Sequence, residues 1–83
     1  MKNTLIIGSQ TRANSLIKQI KVKKLLNIVG MFDLTEPIDH LKEWLRTDID
    51  IIVVLTNERE IFQMLKQYKQ PRSIIITEDM LTG

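Results

Sequence analysis

Four apolar runs alternate along the chain with segments in which apolar residues recur every three or four positions. The runs read as strands at about Asn3–Ile7, Leu26–Phe32, Ile49–Leu55 and Ser73–Thr77. The segments between them read as helices. Helix one, about Thr11–Val22, places Ala13, Leu16, Ile17 and Ile20 on one face. Helix two runs from near Thr35 to near Arg46 on a stripe of Ile38, Leu41, Trp44 and Leu45. Thr35 suits its N-cap, and Pro37 falls in the first turn, where a missing N–H does no harm. Helix three, about Glu58–Lys69, turns Ile61, Phe62, Leu65 and Tyr68 inward, and Pro71 stops it. Asn57 and Glu60 have the spacing of a capping box at its start. Glu78–Gly83 reads as a short tail.

Strand–helix alternation with short joins calls for a parallel sheet wound by helices. Right-handed crossovers then fix the layout. The expected fold is a Rossmann-like α/β three-layer sandwich over 1–83, with a four-stranded parallel sheet in order 2-1-3-4. Helix one lies on one face, and helices two and three lie on the other. Ile51–Leu55 is apolar without alternation, so both faces of strand three should be covered. Strands three and four nevertheless have helices on one face only. Some of Ile49, Ile51, Val53, Leu55, Ile74 and Ile76 must meet a cover that no fourth helix supplies. Each such side chain left wet forfeits roughly 1.5–3 kcal/mol. Two expectations follow: a homo-oligomer, or a domain that is part of a longer chain.

Composition narrows the partners. Eighty-three residues make one domain, and a chain this short buries a small share of its surface. The net charge is +2, without the concentrated basic face of a nucleic-acid binder. Lys18, Lys21, Lys23 and Lys24 come nearest to one, but they suit a solvated helix end that complements the helix dipole. There is no cysteine, which excludes disulfides and thiolate chemistry and agrees with a cytoplasmic location. The longest apolar run is far too short to span a bilayer. The lone histidine, His40, sits beside Asp39 on a helix-two turn and reads as solvated.

Candidate chemistry gathers where the strand order reverses, at the carboxyl ends of strands one and three. Gly8, Ser9, Gln10 and Thr11 lie there from the first loop, and Thr56, Asn57 and Glu58 from the third. Gly8 opens the strand-to-helix turn with backbone freedom other residues lack. Free N–H groups at such a helix start can hold a phosphate. Ser9 and Thr11 suit caps for helix one. Asp33 ends strand two, twenty-five positions after Gly8, where a dinucleotide fold keeps the acid that bonds a ribose. Its plainer role is to cap helix two. Glu58 and Glu60 favour the start of helix three and disfavour a strongly anionic ligand nearby.

The stretches IIGSQTRANSLIKQI, LNIVGMFD and IDIIVVLTNERE resemble the N-terminal Rossmann-like module of polysaccharide-biosynthesis sugar transferases and nucleotide-sugar dehydratases. More distantly they resemble the cofactor half of nicotinamide-dependent sugar oxidoreductases. Gln10 and Ala13 stand where the dinucleotide fingerprint has its second and third glycines, and a glutamine at the second obstructs a pyrophosphate. The resemblance implies a non-catalytic module binding a nucleotide, dinucleotide or nucleotide sugar in surface-polysaccharide metabolism, through Gly8, Ser9, Gln10, Thr11, Asp33, Thr56 and Asn57. The same pattern is also similar to a response-regulator receiver domain. Gly8–Ser9 and Leu55–Thr56 replace the receiver's carboxylates, so this likeness implies a docking or dimerisation domain with neither phosphorylation nor magnesium.

Overall fold

The computed structural model describes residues 2–23, 26–78 and 80. Its elements are β1 (Lys2–Gly8), α1 (Gln10–Lys23), β2 (Leu26–Asp33), α2 (Ile38–Leu45), β3 (Ile51–Val54), α3 (Arg59–Tyr68) and β4 (Ile74–Thr77). All three strand pairings are parallel, in the order β2-β1-β3-β4. This is the Rossmann-like α/β sandwich expected from the alternation of periods.

Each face of the sheet has its own core. Leu5, Ile7, Ile52 and Val54 point to one side, where Leu41 and Leu45 of α2 and Ile61 and Leu65 of α3 close over them. Ile6, Val53 and Leu55 point to the other side, beneath Ala13, Leu16 and Ile17 of α1. Alternation along a strand sends successive side chains to opposite faces, so an unbroken apolar run is what two covered faces require. The first residues of β1 and the residue before β3 are tied together. Asp50 N–H donates to Asn3 C=O and Asn3 N–H donates to the Asp50 carboxylate, both at 2.9 Å.

Several local expectations are corrected. α2 starts at Ile38 behind Pro37, which offers no side-chain cap. Thr35 instead sits in a turn, where its N–H and hydroxyl both donate to Asp33 at 2.8 and 2.7 Å. Asp33 therefore holds this turn and does not cap α2. The N-cap of α3 is Glu58, not Asn57, because Thr56 Oγ1 takes the Glu58 N–H at 3.2 Å and holds the loop one residue later. Phe62 and Tyr68 do not turn inward. Both are more than a third exposed, and the Lys42 ammonium lies 4.6 Å above the Tyr68 ring. Within the segment read as a short tail, Glu78 and Met80 have helical backbone, and the other residues lie outside the described ones.

The thinly covered face is smaller than the sequence implies. Ile49 is buried with the α2–α3 core, and Val53 and Leu55 are buried under α1. What remains is the outer strip, where Ile51 and Ile76 are half-buried and Ile74 is 62% exposed. The two edge strands also differ. β2 is bulged opposite Thr4 and Leu5, which pair with Ile28 and Gly30 and leave Val29 unmatched. β4 runs in unbroken register with β3.

Candidate functional site

Gly8 ends β1 in register with Asp33 and is buried. Its backbone does not occupy the left-handed region. A side chain is excluded for another reason: a Cβ at this position would lie 2.9 Å from the Leu55 Cβ. The glycine lets the end of β3 approach the end of β1, where Leu55 N–H donates to Ile7 C=O at 2.7 Å. Conformational freedom, the reason expected from the sequence, is replaced by close packing.

Beyond Gly8, Ser9 precedes α1, and its Oγ accepts the Arg12 N–H at 3.4 Å. Ser9 is thus the cap, while Gln10 and Thr11 are exposed residues of the first turn. α1 has no acid of its own in that turn. The Asp33 carboxylate is supplied from β2 instead. Its pKa lies below the ordinary 3.8, first because the Thr35 N–H and hydroxyl bond it, with a smaller contribution from the Gln10 N–H. The positive end of α1 is therefore already faced by a carboxylate, which competes with any phosphate there. Asp33 N–H in turn donates to Glu36 Oε2 at 2.7 Å. That bond, followed by the bond to His40, holds the Glu36 carboxyl below its ordinary range.

The expected site residues therefore separate into two groups. Gly8, Ser9, Gln10 and Asp33 form one cluster, locked by its own hydrogen bonds, with Thr11 exposed beside it. Thr56 and Asn57 line a hollow of about 320 Å³ at the carboxyl ends of β3 and β4. Arg12, Val54, Phe62, Thr77 and Glu78 complete its lining. Arg12 leans from the first turn of α1 across this end of the sheet. Its Nη1 donates to Leu55 C=O at 3.3 Å and pairs with Glu78 Oε2 at 3.2 Å. Cation and acid meet at the rim, with hydroxyls, an amide and an aromatic ring around them.

Arg12, Phe62, Thr77 and Glu78 were not singled out for binding by sequence reasoning. Arg12 falls on the polar face of helix one, and Phe62 falls on an apolar spacing. One signal was available: residue 12 lies in the first turn of a helix that starts at the strand-order reversal, within side-chain reach of strand three.

A second hollow, about 350 Å³, lies on the flank of α2 between Glu36, His40, Glu43, Trp44 and Thr47. It is slightly larger, but its chemistry is already committed. Glu36 bonds the Asp33 N–H, and His40 Nδ1 lies 3.2 Å from the other Glu36 oxygen. Trp44 is in place for packing, because its indole covers Gly30 of β2, where an added Cβ would collide with the ring. Of the basic cluster, Lys18 is exposed. The side chains of Ile20, Lys21 and Lys23, and all of Lys24, lie outside the described residues. Among the described residues no helix is long and apolar enough to cross a membrane. Comparison with protein-family models, with curated proteins and with solved structures gave no match.

Proposed function

We propose that this chain is a non-catalytic binding module for a nucleotide or nucleotide sugar, seated in the hollow over the carboxyl ends of β3 and β4. The observation that carries this reading is Arg12, which reaches from the helix that starts at the β1–β3 reversal into a polar hollow one strand further along the same end of the sheet. Open α/β sheets bind ligands outside the carboxyl ends of their strands, and this hollow opens at that end, beside the reversal. A guanidinium matches a phosphate with paired donors. Thr56, Asn57 and Thr77 offer hydroxyl and amide partners to a sugar, and Phe62 offers an apolar surface to a base. The seat is displaced from the first loop because Asp33 already faces the start of α1. In this reading Glu78 is a built-in competitor, which must yield Arg12 before a phosphate can pair with it. The resemblance to sugar-transferase and dehydratase modules points to a cytoplasmic role in surface-polysaccharide metabolism.

Titration calorimetry with UDP-glucose, UMP and NAD tests the reading. Arg12→Ala should weaken binding of the uridine ligands about tenfold or more, the worth of a hydrogen bond to a charged group. Glu78→Gln should tighten it by freeing the guanidinium. No heat from any of these ligands, or an Arg12→Ala protein that binds them as the wild type does, would rule the site out. The second reading, a receiver-like docking domain, draws support from the exposure of Ile74 on β4.

A further inference from the structure

We propose that the open edge of β4 pairs with the same edge of a second copy, joining two four-stranded sheets into one of eight strands. The proposal is independent of the ligand reading. Its starting point is the contrast between the two sheet edges. Proteins guard exposed edges with bulges, prolines or lysines. β2 carries a bulge at Val29. β4 is Ile-Ile-Ile-Thr, without proline, lysine or register break, and nothing among the described residues pairs with its far side.

The hydrogen-bond phase of β4 is set by its inner partner. Ile74 N–H donates to Asp50 C=O at 2.9 Å, so Ile74 and Ile76 turn their backbone groups toward β3. Ile75 and Thr77 then turn theirs outward. A symmetric dimer through one edge places the two strands antiparallel, with one residue facing its own copy across the two-fold axis. With Ile75 as that residue, the two copies of Ile75 form a hydrogen-bonded pair that exchanges both N–H···O=C bonds. The same register places Ile74 against the partner's Ile76.

Charge agrees with this register. Arg72 stands in the turn before the strand and Glu78 at its other end, so antiparallel pairing about Ile75 brings Arg72 to the end of the seam where the partner's Glu78 lies. Arg72 is already bracketed by Asp48 and Asp50, and Glu78 by Arg12. Opposite charges at the two ends of the strand therefore favour the antiparallel arrangement. Ile74 and Ile76 share the α1 side of the sheet by strand alternation, where Ile74 is 62% exposed. The partner therefore meets the strip that α1 leaves bare.

Sedimentation velocity of the whole chain, with hydrogen exchange at the Ile75 amide, tests this. The expected result is a dimer at high micromolar concentration, with Ile75 N–H protected in proportion to the dimer fraction. Ile74→Lys, at an exposed position, should give a monomer with unchanged circular dichroism and a rapidly exchanging Ile75 amide. Thr77→Pro should weaken the dimer at least tenfold, by removing an outward N–H that β3 does not use. A wild-type monomer at millimolar concentration would overturn the proposal. So would a dimer whose Ile75 amide exchanges freely, or one that survives both substitutions, since each would place the interface elsewhere.

Discussion

Two glycines show how backbone approach, rather than turn geometry, fixes residue identity in this chain. Gly30 lies under the Trp44 indole, and any Cβ there meets the ring. Gly30→Ala should cost about 1–3 kcal/mol by overpacking. In a Trp44→Leu background most of that cost should vanish, and denaturant midpoints of the four proteins in the cycle would show the coupling. The Asp33–Glu36 turn gives a second prediction at this scale. Both carboxyls have folded pKa values below their ordinary 3.8 and 4.5. A depressed carboxyl stabilises the fold fully above its ordinary pKa. That contribution is lost as pH falls through the lower folded value. Stability should therefore decline in acid below about pH 4.5, and Glu36→Gln should flatten the decline. Urea midpoints from about pH 6 down to about pH 2 would measure it. An unchanged slope in Glu36→Gln would remove Glu36 from the account.

At the scale of elements, the helices and strands were legible because their periods differ. Ile51–Leu55 could only be a strand covered on both faces, and Leu41–Leu45 could only be one side of a helix. What stayed hidden were choices between residues of similar propensity. Thr35, Asp33 and Asn57 all suit caps, and only the tertiary path shows that Pro37 and Glu58 take the cap positions. The site was half legible for the same reason. Thr56 and Asn57 follow from topology, whereas Arg12 enters through a long side chain crossing from another element. The first loop was legible as a strand-order reversal but not as a position already faced by Asp33. Gly8→Val therefore tests packing rather than phosphate binding. It should destabilise the fold by about 1–3 kcal/mol through its clash with Leu55. Any loss of ligand should track that unfolding.

For the whole molecule, small size is the governing fact. The Cα radius of gyration is 11.8 Å, and two separate cores share one thin sheet. Domains of this length are marginal unless association adds burial. If β4 edges pair, the melting temperature should rise with protein concentration, and Ile74→Lys should abolish that rise. The ligand and the second copy act on neighbouring but distinct features: the hollow at the end of β4 and the edge along it. The central claim is the hollow. Its most direct test is an amide ¹⁵N–¹H titration of the whole chain with UDP-glucose. The expected result is shifts at Arg12, Thr56, Asn57 and Thr77, with His40 and Trp44 unmoved. Shifts confined to Glu36, His40 and Trp44, or none at millimolar ligand, would contradict it.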